Sequence, residues 1–265
     1  MQDDFDIKTT PYRNGLCWIC GQPADSSEHR LKKTDLVSKY GEGAFIGDNK
    51  VVHVVGGQLN EIQGPGSRRL KYQDSLCKNC NNSVTQQHDR AYERLQAWIA
   101  ANEVSILSAR VIDFCAVFGA NYPTEVANLI RYYAKSLGCK INDAKRPVPV
   151  ALSDAARGGV LSPSLQISFC VQEDLARNRD VFEKYIGKAD LYGNQEPDAH
   201  PFYSWSEEVS WFTTMISYRY DHDPRWGTVL SDTVEVAHLG SLSAFTIEER
   251  VEFDKQFDRI RERPE

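Results

Sequence analysis

No apolar run in this chain approaches the roughly 20 residues needed to span a bilayer. Its opening, Met1-Gln2-Asp3-Asp4, is acidic where a secretory leader is basic. Both features point to a cytoplasmic protein with no membrane partner. Internal repeats, low-complexity tracts and a Gly-rich phosphate loop are also lacking, which sets aside solenoids and P-loop nucleotide hydrolases. Nor is there a basic excess: 31 Lys and Arg stand against 37 Asp and Glu, a formal charge of −6, so the chain as a whole does not advertise a polyanion binder. What remains is the composition of an ordinary globular protein. Its 265 residues are 41% hydrophobic and 26% charged, enough to bury a full core in one large domain or two.

The charge is unevenly spread. Residues 1–100 hold 13 basic and 12 acidic side chains, and the remainder 18 and 25, so the deficit lies in the second part. In the first part Arg30, Lys32, Lys33, Arg68, Arg69, Lys71 and Lys78 gather around a cysteine motif, where contacts to phosphate would be useful; a solvated basic surface is the plainer alternative.

That motif is a pair of CxxC units, Cys17-Trp18-Ile19-Cys20 and Cys77-Lys78-Asn79-Cys80, with 56 residues between them. In a reducing compartment such pairs read as metal sites more readily than as disulfides. Four thiolates complete the closed tetrahedral shell of structural zinc. A redox CxxC would occur once, at the start of a helix in a βαβ pattern. Cys115, Cys139 and Cys170 lie in apolar or periodic surroundings and read as small buried thiols.

Eight residues after Cys20 begins the dipeptide Glu28-His29, and Asn81 follows Cys80 directly. Two CxxC units, an acid-histidine dipeptide and a helix-borne Asn together resemble the zinc-containing branch of the HNH nucleases, built on the ββα-metal fold. The resemblance covers about the first hundred residues. It implies that His29 is the general base, Glu28 a ligand for a catalytic Mg²⁺ or Mn²⁺, Asn81 a second such ligand, and DNA the substrate, with RNA left open. The acid is Glu where the family more often has Asp, and the segment Tyr72-Gln73-Asp74-Ser75 carries no Asn. A zinc-stabilised nucleic-acid or protein binding module without catalysis is the alternative. A third view makes the zinc a structural staple in a protein that acts through its C-terminal part.

The expected fold class is α+β, with an HNH module over residues 1–102 and a mixed helical and β domain over 103–265, divisible near 144–150. Residues 1–16 read as a lead-in arm and Val51–Val55 as a short strand. From Asn81, Val84, His88, Ala91, Leu95 and Trp98 share one helical face, where His88 is a candidate for a supplementary role at the site and reads more readily as packed between Val84 and Ala91. Helical spacing continues over 104–118. Pro123 opens a clearer helix, with Val126, Leu129, Ile130, Tyr133 and Leu137 on one face and Gly138 as its stop. Pro147 and Pro149 impose an extended connection. Leu165–Val171 alternates as a half-buried strand, 173–188 returns to helix, and 193–200 is a polar loop. Val209–Tyr220 and Thr228–His238 read as a hairpin turning at 221–227, where Asp221-His222-Asp223 is a solvated loop. Thr246-Ile247-Glu248-Glu249 is a capping box opening a last helix. His53, His200 and His238 carry no motif.

The C-terminal part is expected to control where or when cutting occurs, through a substrate feature, a regulatory protein or a second copy of the chain, and to supply no catalytic group. By analogy, a small nuclease carrying an unrelated domain suits bacterial anti-phage defence.

Overall fold

The computed structural model describes residues 8–46, 51–55, 58–178, 185–188, 192–193, 202–243, 246, 248–249 and 251. The arm before the first CxxC contains a short strand β1 (Thr9–Thr10) whose partner comes from the distant proline segment. Helix α1 (Lys33–Tyr40) ends at Gly41, whose φ of 82° and N–H bond to the Val37 carbonyl close its last turn. Strands β2 (Val51–Val55) and β3 (Gln58–Ile62) form a hairpin. A π-helical turn, Cys80–Val84, leads into α2 (Gln86–Ala101), which buries His88, Ala91, Tyr92, Leu95 and Ile99 at the expected spacing.

The stretch 104–118 is not one helix but three elements. Helix α3 (Glu103–Ala109) stops at Arg110, which adopts the left-handed conformation, φ 57°; strand β4 (Val111–Asp113) follows, and Asp113 then caps α4 (Phe114–Phe118) by accepting the Ala116 N–H at 3.1 Å. Helix α5 (Tyr122–Asp143) starts with Pro123 in its first turn but runs through Gly138, the expected stop, to Asp143. It is buried nearly all round, as suits the central helix of a core.

Strand β5 (Val148–Pro149) pairs with β1, and α6 (Val150–Ala156) follows. Strand β6 (Leu165–Gln172) is buried on both faces where half-burial was expected, because Phe169 packs against Tyr133 of α5 on one side and Cys170 meets the Trp226 carbonyl on the other. Beyond the short α7 (Glu173–Arg177), the expected helix over 173–188 gives way to strand β7 (Tyr185–Lys188), with 179–184 outside the described residues. Then come β8 (Tyr192–Gly193), β9 (Tyr203–Val209), β10 (Phe212–Tyr218), β11 (Val236–His238) and β12 (Gly240–Leu242). Most of the polar loop expected at 193–200 lies outside the described residues.

The hairpin is displaced from its expected place. It joins β9 to β10 through Ser210 and Trp211, with Val209 opposite Phe212 and Ser210 at φ 58°, while β11 pairs with β4. Such two-residue turns usually place Gly or Asn at the positive-φ position; here Ser210 takes it, so no turn residue interrupts the apolar run in sequence. The capping box forms as expected: the Thr246 N–H donates to Glu249 Oε2 at 2.8 Å and the Glu249 N–H to Thr246 Oγ1 at 3.2 Å.

Together these make a mixed α+β architecture. An eight-stranded sheet runs β12-β6-β10-β9-β7-β2-β3, with β8 on β9. Pairing β2 with β7 joins the early hairpin to the late strands. One apolar core extends from Cys17, Trp18 and Tyr92 through α5 to Phe169, Trp205 and Leu239, so the expected division at residue 102 falls within a continuous core. A smaller cluster, Leu31, Leu36, Phe45, Val51, Ile62 and Leu70, lies under α1 and the early hairpin. No helix among the described residues is long and apolar enough to cross a membrane.

Candidate functional site

The four motif cysteines come together. One ligand atom from each of Cys17, Cys20, Cys77 and Cys80 lies within 4.8 Å of the other three, and the Cys20 and Cys77 sulfurs are 3.6 Å apart. Tetrahedral zinc with bonds of about 2.3 Å would set sulfurs about 3.8 Å apart, so the cluster could hold such an ion. The first knuckle is shaped by Gly21, which at φ 77° donates its N–H to the Cys17 carbonyl at 2.7 Å; a side chain there would be strained. In the second, the Cys80 N–H points at Cys77 Sγ, 3.4 Å away. Among the described residues no other group of three or more Cys, His, Asp or Glu side chains is close enough to share an ion.

Between the knuckles the chain makes a minimal ribbon. Residues 25–30 run antiparallel to 70–76, with bridges Ser26 to Leu76 and His29 to Lys71, and the Tyr72 N–H bonded to the Glu28 carbonyl at 2.9 Å. The π turn and α2 follow the second strand directly. Asn81 sits at the start of that helical segment and reaches back to the ribbon, its Nδ2 donating to Ser26 Oγ at 2.9 Å and to the Ser27 carbonyl at 3.4 Å. The local structure thus brings His29 and Asn81 onto adjoining segments. Burial, together with Lys71, Lys32 and Lys33, outweighs Glu28 and lowers the His29 pKa below its ordinary 6.5, which leaves the half-buried ring neutral at pH 7.

Glu28 behaves differently from its neighbour. It is 5% exposed and turned inward. Its Oε1 accepts the His29 N–H at 3.0 Å and lies 3.6 Å from Lys32 Nζ, while Oε2 lies 2.7 Å from Lys135 Nζ. Burial alone would raise its pKa, but the two ammonium groups prevail and bring it down to about 2. Asp89 of α2 closes the cluster, its Oδ1 being 2.7 Å from both Lys32 and Lys135. The face of Tyr132 lies 5.3 Å from the Lys32 ammonium and 5.9 Å from that of Lys135. As placed, Glu28 does not fit the expected role of ligand to Mg²⁺ or Mn²⁺: its oxygens are committed to two cations and a backbone amide.

Lys135 and Asp89 were not singled out in the sequence. The signal for Lys135 is its setting, Tyr132-Tyr133-Ala134-Lys135-Ser136-Leu137-Gly138-Cys139, a lone ammonium in an otherwise apolar stretch. His88, one residue before Asp89, is fully buried on the α2 stripe, its pKa lowered to about 4 chiefly by burial. Arg30 is also committed: its Nη2 lies 2.8 Å from Asp143 Oδ2 and its Nε donates to the Lys71 carbonyl at 3.2 Å. Beside it opens a polar cleft of about 990 Å³ whose lining includes Ser27, Arg30, Arg68, Lys71 and Gln73. Asp221-His222-Asp223 lies in a turn. There Asp223 caps residues 224–226 and His222 Nε2 lies 3.0 Å from the Gly227 carbonyl oxygen.

Set against family models, characterised proteins and solved structures, the chain matches none.

Proposed function

We propose that the chain is an endonuclease of the HNH kind that hydrolyses phosphodiester bonds in nucleic acid, DNA being the substrate the motif implies. The observation that carries this is the joining of three parts in one place: a four-cysteine cluster, a ribbon bearing His29, and a helical segment whose first turns present Asn81 against that ribbon.

Hydrolysis needs a base for water, cations for the phosphate and a fixed distance between them. A neutral, half-buried His29 suits the first. Arg68 and Lys71, at the cleft beside the ribbon, suit the second. The fixed distance comes from the ribbon pairing and, with zinc bound, from the knuckles at its root. No step is assigned to a cation through Glu28. Asn81 is the remaining side chain of the motif that could ligate Mg²⁺ or Mn²⁺.

One observation favours the second reading, a zinc-stabilised binding module: the motif acid is closed off by two lysines. The full chain incubated with plasmid and single-stranded DNA and RNA, in Mg²⁺, in Mn²⁺ and in EDTA, separates the two. Cutting that His29→Ala abolishes with the metal content intact supports the nuclease. Binding without cutting under every condition supports the module.

A further inference from the structure

We infer that Lys135, carried by the C-terminal part of the chain on α5, is the positioning residue that holds the two halves of the His29–Asn81 site in register. This rests on the nuclease reading proposed above and names how its site is held.

The side chain has no exposed surface, and its ammonium has three hydrogens and three acceptors: Glu28 Oε2 at 2.7 Å, Asp89 Oδ1 at 2.7 Å and Thr85 Oγ1 at 3.3 Å. Each acceptor leads to a different part of the site. Glu28 precedes His29 and accepts that residue's backbone N–H, so the ribbon is fixed beside its histidine. Thr85 passes the link to the helix start, its hydroxyl within 3.1 Å of the Asn81 carbonyl and 3.0 Å of the Cys80 carbonyl. These contacts knit the π turn to which Asn81 and a knuckle cysteine belong. Asp89 holds the body of α2 and shares Lys32 with Glu28. One buried cation thus ties the strand bearing the proposed base to the turn bearing Asn81.

Two further contacts from the same helix show that α5 carries the whole site. Trp18 of the first knuckle lies against Gly138, one turn beyond Lys135, and Asp143 at the helix end accepts Arg30 and the Gln73 N–H from the two ribbon strands. Without Lys135, Glu28 and Asp89 would be left with Lys32 as their one shared partner, and a buried and a partly buried carboxylate would repel. A base displaced by about 1 Å is enough to lose about 100-fold in rate.

The test uses the full chain and the Lys135→Met and Glu28→Gln/Lys135→Met variants, with cutting kinetics, zinc content and amide hydrogen exchange read on each. If Lys135 positions the site, Lys135→Met keeps its zinc and loses about 100-fold in kcat with little change in KM, and the double variant, which removes the unpaired carboxylate too, recovers at least about tenfold. In Lys135→Met the His29 and Asn81 amides exchange about tenfold faster, while those of β6 and β10 do not change. Unchanged cutting, or exchange that rises equally everywhere or not at all at these two amides, overturns the proposal. Should wild type cut no nucleic acid, the nuclease reading fails and the exchange result alone decides whether Lys135 clamps the two segments. Should Lys135→Met not fold, Thr85→Val is read in the same assays: slower cutting with faster Asn81 exchange supports the link, and no change overturns it.

Discussion

The outer edge of the Trp18 ring lies against Gly138, so close that a β-carbon added to the glycine would overlap ring carbons Cη2 and Cζ2. Glycine inside α5 costs about 1 kcal/mol against alanine, and its absence of a side chain is what lets the first knuckle dock. Gly138→Ala therefore gains that helix propensity and loses about 1–3 kcal/mol to overpacking against a buried ring. The expected net effect is a loss of up to about 2 kcal/mol in urea unfolding. Adding Trp18→Leu to Gly138→Ala should cost less than the sum of the two single changes, since both act on one contact.

Glu28→Gln tests the ion cluster through pH. The folded pKa of Glu28 is lowered to about 2 from an ordinary 4.5, so its charge contributes stability that is present above pH 4.5 and lost as pH falls toward 2. The amide variant has no such charge. It is expected to be less stable than wild type at pH 7 by about 3 kcal/mol, the low end for a broken buried pair because Asp89 still holds Lys135. The gap should narrow between pH 4.5 and 2 in acid unfolding followed by circular dichroism.

Asp35 has the opposite sign. Burial raises its carboxyl from 3.8 to about 7 against the hydrogen bond donated by Tyr92, 2.8 Å away, and Glu207 adds to the rise. A carboxyl raised on folding favours the folded chain below pH 3.8 and opposes it progressively up to about 7. Asp35→Asn keeps an acceptor for Tyr92 and removes the charge. Its melting temperature is expected to match wild type near pH 4 and to exceed it at pH 8, with the difference levelling off above 7.

Elemental analysis is expected to find one zinc per chain, and Cys77→Ser to lose it. Structural zinc contributes on the order of 10 kcal/mol, as much as the whole stability of most domains. Because the knuckle residues Cys17, Trp18 and Cys80 belong to the same core as Phe169 and Trp205, stripping the ion should lower the melting temperature of the entire chain in a single transition. A second, unaffected transition in calorimetry would show that residues beyond 102 stand apart.

The sequence is legible where the signal is local. The CxxC pairs, strand β2, the face of α2, the proline-led start of α5 and the capping box at Thr246 each depend on residues a few places apart, and each forms. What depends on distant partners does not show. Gly138 looks like a helix stop because nothing nearby says that Trp18, 120 residues earlier, lies against it. The β9–β10 turn is silent because Ser210 takes a conformation usually left to glycine. Glu28 reads as an open metal ligand until α5 brings Lys135 to it.

Residues 51–62 supply two strands to a sheet whose other members begin at Leu165, and the ribbon rests on a helix that starts at Tyr122. During synthesis the amino-terminal segments leave the ribosome first, yet they have nothing to close against until those later pieces emerge. Both cysteine pairs can gather zinc early. The clamp through Lys135 and the sheet partners of β2 arrive afterwards, so an unfinished or truncated chain carries the motif without the arrangement. For the nuclease proposed above, this order of assembly would act as a safeguard: a fragment released by an aborted ribosome would carry the motif without the Lys135 contacts that hold Glu28 against α2.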